Sequence, residues 1–499
     1  MDFCMGLLRA GLAALIALVV SLVVAAPASA DHDTYGVAEY GYGEGLVSAL
    51  ETPLAIPGSQ ETAPLTAGAG GNSDLNSNNF RLLDQEPTKI RKDRVAEGSD
   101  LAFQGRKIIA GTYQGLGLYK RKERSIKQIS FYRCPATQGD VVVSGKYAFV
   151  SIDSRGSNES ESRRCNNTPT DKSASSVGKE GLRIVDLSDK RKPRQVGFIE
   201  TECGSHTQTL IPGERRSHIY VQSYPLSPAD TECTEVNHPE GEFSIISFPT
   251  DHPPRARNEG VQDVIPPLSA TPDTIGCHDT GVLPAKDLAA FSCLGAFAIA
   301  DISNPAKPKT LSVVQNLEIE LDHSAQLTWD GKMAVIGDEH AGAAGGGGCS
   351  TDQSSPVGAM WYYDISRPRN PTLEGSYSLP RVPPTDTPEE IERFRCTTHN
   401  YSILPMKNDR YVAVSPYYSG GLSIVDFTDP AAPKEKGFYL QQKDGENPDI
   451  WSGYWFNGKI FTNDHAASYG VGMFKAKGYG RKQVKSLGRV SNPQTQILP

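Results

Sequence analysis

A short pattern of apolar and polar positions returns seven times along this chain. A small residue, usually glycine, opens an alternating apolar run, which Asp-x-Ser/Thr and a Pro-rich turn usually close. The clearest copies are GLRIVDLSDKRKP at 181–193, GAFAIADISNPAKP at 295–308, AMWYYDISRPRNP at 359–371 and GLSIVDFTDPAAP at 421–433. Weaker copies are GLGLYKRKER at 115–124, EFSIISFPTDHPP at 242–254 and GVGMFKAKG at 470–478. Alternation with period two, bounded by Gly, Pro, Asn and Asp, predicts strands.

Each copy sits inside a longer unit. A marked position, usually His, opens a first strand. A second follows, such as KYAFVS at 146–151 or RYVAVS at 410–415, then a variable loop. The repeated strand and its turn come next, and a short last strand such as QVGFIE at 195–200 ends the unit. Four strands per unit and seven units predict an all-β fold, a seven-bladed β-propeller with four antiparallel strands per blade. A pair of β-sandwiches or a β-helix is the alternative, but β-helix coils are much shorter than these units.

The phrases GLRIVDLSDKRKP, GLSIVDFTDPAAP and AFAIADISNPAKP resemble LVIVD repeats, and the likeness spans roughly residues 100–490. That family consists of exported and cell-surface β-propeller proteins, so the resemblance implies the same fold and an extracytoplasmic location. It implies little about activity, because fold does not carry function.

The N-terminus fits that location. Arg9 precedes an apolar stretch at 12–24, and Ala28-Ser29-Ala30 is a small-x-small cleavage site. Residues 1–30 therefore read as a secretory signal peptide, with an uncleaved anchor as the alternative. Residues 31–79 read as a flexible leader rich in Gly, Ala, Ser and Asn. Residues 80–499 are the propeller. No later stretch is long and apolar enough to span a bilayer, so a secreted or cell-surface-associated monomer is expected. The net charge of −8 gives no basic face for a nucleic acid.

Nine cysteines minus Cys4 leave eight in a chain read as exported, and disulfides are the default there. Cys134, Cys203, Cys277 and Cys396 lie at or before the marked position. Cys165, Cys233, Cys293 and Cys349 lie in or near the loop after the second strand. In a four-stranded blade both places fall on one face. The register thus suggests Cys134–Cys165, Cys203–Cys233 and Cys277–Cys293 within blades, and Cys349–Cys396 between blades. Other connectivities remain open. A thiolate metal site lacks the CxxC spacing.

The candidate chemistry lies in the histidines. His206, His278, His323 and His399 hold the same marked position in four consecutive blades, where Gln138 and Trp451 stand in two others. That position begins the innermost strand, so four imidazoles would face the channel mouth and suit Cu, Fe or Zn. Asp338, Glu339 and His340 (GDEH), with Asp464 and His465 (NDH), end second strands on the same face. They are candidate further ligands, and Glu339, His340 and His465 are candidate acid–base groups. Against this, LVIVD repeats often carry His followed by Asn or Asp at this point, and such a residue can simply satisfy a buried carbonyl. The channel radius of seven blades would also hold the four rings too far apart for one ion.

No phosphate loop, dinucleotide fingerprint or nucleophile elbow is present. Two functions follow as expectations. The first is an exported binding protein for a protein, glycan or small ligand, with a His-lined metal site at the mouth. The second is a metal-dependent enzyme, an oxidase, oxygenase or lyase, that uses the axial histidines.

Overall fold

The structure is a computed structural model. It describes residues 75–135, 138–153, 179–223, 242–265, 276–339, 349, 356–383, 394–440, 442–443 and 445–497. His340, Cys4, Cys165, Cys233 and residues 1–74 lie outside the described residues.

Seven antiparallel sheets surround one axis. Blade 1 is built from Gly98–Gln104, Lys107–Thr112, Gly115–Arg121 and Ile126–Arg133. Blade 2 uses Val141–Ser144, Tyr147–Ile152, Gly181–Asp186 and Arg194–Glu200. Blade 3 uses Thr207–Ile211, Arg216–Gln222, Glu242–Pro249 and Arg257–Asp263, and blade 4 uses Thr280–Leu283, Leu288–Ser292, Phe297–Asp301 and Lys309–Val314. Blade 5 uses Asp322–Leu327, Met333–Asp338, Met360–Asp364 and Thr372–Tyr377, and blade 6 uses Ser402–Ile403, Val412–Pro416, Leu422–Asp426 and Lys434–Leu440. Among the described residues the helical elements are two short 3-10 turns, Pro253–Arg255 and Pro284–Lys286.

Blade 7 closes the ring. Its three inner strands are Ile450–Phe456, Lys459–Asp464 and Val471–Ala476, but its outer strand is Phe80–Glu86, from the other end of the chain. Leu75–Asn76 then pairs with the outer strand of blade 6, Leu75 opposite Leu440. Joining first and last segments in one sheet removes the free edge that an open ring would expose.

The recurrent sequence has a local cause. Every copy forms the third strand of its blade. In all seven blades the third strand pairs with the fourth through a one-residue register shift, as at Ile184/Val185, Ile299/Ala300, Tyr362/Tyr363 and Ile424/Val425, with the extra residue on the fourth strand, and at Leu82/Asp84 of the outer strand in blade 7. Such a bulge adds twist, which a radial sheet needs. The Asp-x-Ser/Thr that follows is an Asx turn. Asp186 Oδ1 accepts from the Ser188 N–H at 2.8 Å, Asp301 Oδ1 from the Ser303 N–H at 2.8 Å, and Asp364 Oδ1 from the Ser366 N–H at 2.6 Å. The opening glycine has its own reason: at Gly181, with φ +135°, a Cβ would lie 2.2 Å from the Ile199 carbonyl oxygen.

The core is a set of inter-blade layers rather than one centre. Phe149 of blade 2 stacks on Phe248 of blade 3 at 5.1 Å, Phe297 of blade 4 meets Tyr363 of blade 5 at 4.6 Å, and Tyr362 of blade 5 stacks on Phe427 of blade 6 at 4.5 Å. Alternate residues of each strand therefore pack on the preceding and the following blade, which explains why both positions of the period-two pattern are buried.

The C-terminal segment runs across the channel at the end where the innermost strands finish. Val490–Ser491 pairs with Gln104 and Phe103 of blade 1. Asn492 bonds both the N–H and the C=O of Val143, and Thr495 Oγ1 donates to Leu210 O at 2.7 Å. Val282 N–H donates to Gln494 O at 2.8 Å, and Gln496 Nε2 donates to Leu327 O at 2.5 Å. Five blades are thus tied at the floor. Beside this segment Trp329, Ile403, Tyr454 and Trp455, of blades 5 to 7, line a shallow cleft.

Candidate metal centre

The four histidines begin, or directly precede, the innermost strands of blades 3 to 6. Their backbones are fixed by sheet bonds at the strand mouth: His206 N–H to Gln222 O at 2.9 Å, His278 N–H to Ser292 O at 2.7 Å, and His399 N–H to Pro416 O at 3.2 Å. Innermost strands are the closest elements in a radial fold, so side chains at one register meet there. The ring centroids are 4.8 Å apart for His206 and His278, 3.9 Å for His278 and His323, and 4.4 Å for His323 and His399. Rings of neighbouring blades are thus in contact. The rings form a continuous arc, extended by Trp451, 4.5 Å from His399. All four are at most 1% exposed.

Glu339 joins this arc. It follows the second strand of blade 5 and is 1% exposed. Its Oε2 is 3.2 Å from His323 Nε2 and its Oε1 is 3.4 Å from His399 Nε2. The Tyr418 hydroxyl donates to Oε1 at 2.5 Å. Burial and the Glu339 charge both hold the Tyr418 phenol well above its usual range. The Arg395 guanidinium covers the Tyr418 ring, 4.2 Å from its centroid.

Backbone partners fix which nitrogen of two rings acts as the acceptor. His399 Nδ1 lies 2.6 Å from the Trp451 carbonyl oxygen, which can accept but not donate. Nδ1 therefore carries the proton, and the neutral ring turns the Nε2 lone pair toward Glu339. At His278 the Asp279 N–H donates to Nδ1 at 3.0 Å and occupies that lone pair, and Asp279 Oδ2 lies 3.4 Å from the same nitrogen. At His399 two acceptors, Nε2 and Glu339 Oε1, thus face each other at 3.4 Å, and such a pair repels unless a proton or a cation lies between them.

Two groups of donors result: His278, Asp279 and His323, and His323, Glu339 and His399. Within each, all ligand atoms lie within 4.8 Å of one another. Two imidazoles and one carboxylate suit Zn, Cu or Fe.

The other candidates are placed elsewhere. His206 belongs to neither group; its Nδ1 is 2.5 Å from Asp153 Oδ2, and its ring packs edge-on against His278. Asp338 accepts from the N–H groups of Leu321 and Gly358, at 3.0 and 3.2 Å, and pins the blade 5 mouth. Asp464 Oδ1 accepts from the N–H groups of Asp449 and Ala466 at 3.0 and 2.9 Å. Burial, then the Asp449 charge, raise its pKa well above the usual carboxylate range. His465 Nδ1 lies 3.0 Å from Asp449 Oδ2, which also pairs with Arg395. His465 is thus held in an Arg–Asp–His cluster, apart from the two metal-ligand groups, and His340 lies outside the described residues.

Asp153, Asp279 and Asp449 were not singled out by sequence reasoning as site residues. For Asp153 a signal existed: like Glu339, it directly follows the second strand of its blade.

Cys277 is bonded to Cys293, and Cys349 to Cys396. Cys134 and Cys203 are also disulfide-bonded; Cys165 and Cys233, the partners suggested for them, lie outside the described residues.

The LVIVD repeat matches residues 137–156, 294–315 and 410–441. The chain carries LVIVD repeats and is a seven-bladed β-propeller. No curated protein matches it. Among matching solved structures is a functionally unknown protein from Desulfotomaculum acetoxidans DSM 771, 11% identical, with a TM-score of 0.43, covering 70% of this chain and 87% of its own. Among the described residues no helix is long and apolar enough to cross a membrane.

Proposed function

We propose that this protein is an exported, extracytoplasmic propeller that binds a transition-metal ion at its channel mouth. The ion is Cu, Fe or Zn, and its ligands are His323, Glu339 and His399. One observation carries the reading: the His399 nitrogen left with a lone pair by the Trp451 carbonyl faces a carboxylate oxygen at 3.4 Å. In a site at most 1% exposed, a cation offsets the desolvation of that carboxylate. Disulfides between buried cysteines support the exported location.

The test is elemental analysis of protein purified without a His-tag or chelating resin. At least one equivalent of Cu, Fe or Zn is expected, and it should be lost in His323→Ala. Protein that contains no metal and takes up none when offered would reduce these histidines to a proton-linked structural cluster.

A second reading, a metal-dependent oxidase, oxygenase or lyase, draws support from Tyr418. Its hydroxyl bonds a ligand carboxylate and its ring is covered by Arg395. A phenol so placed can deliver a proton or an electron beside the ion. Under this reading Tyr418→Phe keeps its metal and loses turnover in a substrate screen. Under a purely binding role, capturing a protein, glycan or small ligand at the loops, that variant behaves as wild type.

A further inference from the structure

We propose that the floor of the propeller, at blades 7 and 1, is a docking surface for an acidic polysaccharide. This assignment rests on the extracytoplasmic location proposed above and is independent of the metal. The net charge of −8 hides a local excess of the other sign. Residues 465–499 hold six Lys or Arg and no Asp or Glu, and the run KRKERSIK at 120–127 holds five cations against one acid.

The repeat marks where the sign changes. Third strands finish at the floor, the end opposite the histidines. In blades 2, 4, 5 and 6 the last residue of that strand is Asp186, Asp301, Asp364 or Asp426. Three of these acids stand opposite a cation of the fourth strand: Asp186 opposite Arg194, Asp301 opposite Lys309 and Asp426 opposite Lys434. Blades 1 and 7 carry Lys120 and Lys475 at this register, where GLGLYK and GVGMFK align with GLRIVD. Their partners are cations too. Lys120 lies between Lys107 and Lys127, and Lys475 lies opposite Arg81. Like charges directly opposite each other destabilise a sheet. Two neighbouring blades thus hold a repulsion where three others hold an attraction, and a bound polyanion relieves it.

The two blades and the C-terminal segment bring these charges onto one surface. The Arg121 N–H donates to Arg106 O at 2.8 Å, and the Gly105 N–H donates to Arg489 O at 2.5 Å. Arg481 Nε donates to Asn457 O, in the first turn of blade 7, at 2.9 Å. The Arg121 guanidinium lies over Phe456 of blade 7, 4.9 Å from the ring centroid. Burial lowers the Arg121 pKa, and the charges of Arg481 and Arg106 lower it further. Burial and then the Lys475 charge lower that of Lys459.

Shape and chemistry select the partner. A flat anionic membrane laid on the floor would also meet the acids of blades 2, 4, 5 and 6, whereas a chain lying along blades 7 and 1 avoids them. Phe456 and Phe461 beneath Arg121 are fully buried, so neither ring can stack on a nucleobase. For an exported protein, an acidic glycan is the linear polyanion that fits.

The experiment measures binding of the purified full chain to polygalacturonate over a range of salt concentrations. Dextran, phosphatidylglycerol vesicles and duplex DNA are the comparison probes. Wild type should bind polygalacturonate but not dextran, and should lose affinity as salt rises. Lys120→Asp combined with Lys475→Asp gives blades 1 and 7 the acid of the other blades. This variant should unfold at or above the wild-type Tm and bind at least about tenfold more weakly. Lys286→Asp combined with Lys307→Asp makes the same change of net charge at exposed positions of blade 4 and should bind as wild type does. If the first variant fails to fold, Lys120→Gln combined with Lys475→Gln takes its place and should weaken binding in the same direction.

Polygalacturonate left unbound at low salt overturns the proposal. An equal loss in the blade 4 variant traces binding to overall charge and also overturns it. Vesicles or DNA bound more tightly than polygalacturonate overturn the choice of a glycan. The assay uses purified protein, so its outcome is separate from any finding on location or metal content.

Discussion

At the residue scale, the channel is a place where buried acids must share protons or cations. Asp100 and Asp140, from the innermost strands of blades 1 and 2, form a carboxyl pair below the histidines. Both Asp140 oxygens accept backbone N–H groups, from Val141 at 2.9 Å and Gln208 at 2.7 Å. The proton shared by the pair therefore sits on Asp100, whose other oxygen accepts from the Tyr454 hydroxyl at 2.6 Å. Burial raises both carboxyl groups, Asp100 well above the usual range and Asp140 up to about 6, with the Asp279 charge adding to the latter. A raised carboxyl pKa means that the folded state holds protons that the unfolded chain has released. The associated stability is fully present below about pH 4 and is lost as the pH rises through about 6. Asp100→Asn replaces the proton donor with an amide N–H and keeps the acceptor for Tyr454. We expect it to stabilise the protein at pH 7.5 by about 2 kcal/mol. It should also flatten the fall in stability between pH 4 and 7, as read from denaturant midpoints across that range. A variant that unfolds with the wild-type pH profile would place the proton elsewhere.

At the scale of elements, the mouth is built from strand ends and the segments that follow them. The residue after the second strand is Asp153 in blade 2, Glu339 in blade 5, Tyr417 in blade 6 and His465 in blade 7. One backbone register thus supplies the carboxylate that orients His206 and the carboxylate that joins His323 to His399. The Cys349–Cys396 bond ties the chain beyond Glu339 to the segment leading into His399, across 47 residues. Chain-entropy reasoning assigns a loop of that length about 4 kcal/mol. Replacing both cysteines with serine should lower the unfolding free energy by up to about that amount. Reduction of the wild-type bond should do the same, measured as a shift of the denaturation midpoint with dithiothreitol.

At the scale of the molecule, both chain ends close the ring. Phe80–Glu86 supplies the outer strand of blade 7, and Phe80 packs edge-on against Phe474 at 5.7 Å. The last residues tie four inner strands, those of blades 2 to 5, together through Asn492, Gln494, Thr495 and Gln496. Deleting residues 490–499 removes six such hydrogen bonds: two at Val143, one at Leu210, two at Val282 and one at Leu327. At about 1 kcal/mol each, this costs roughly 6 kcal/mol. The expected result is a lower Tm together with faster hydrogen exchange at Val143 and Val282, whose N–H groups the tail covers. Unchanged exchange at those two amides would mean that the tail does not seal the floor in solution.

The sequence by itself determined everything local and repeated. Alternation specified strands, because side chains on a pleat point to opposite sides. The Asp-x-Ser/Thr signature specified Asx turns, because that carboxylate reaches the N–H two residues on. Counting copies specified seven blades, and the shared register put His206, His278, His323 and His399 at the same point of four blades. Tertiary structure decided which of these residues meet. Glu339 reaches His399 of the next blade, and His206 is held by Asp153 of the preceding one. His465 is turned to Asp449 and Arg395 instead of the arc. Strand Phe80–Glu86 crosses from the start of the chain to its last blade. Contacts of this kind depend on the radius of the ring and the twist of each sheet. Those quantities arise from the packing of all seven blades together, and no single repeat encodes them.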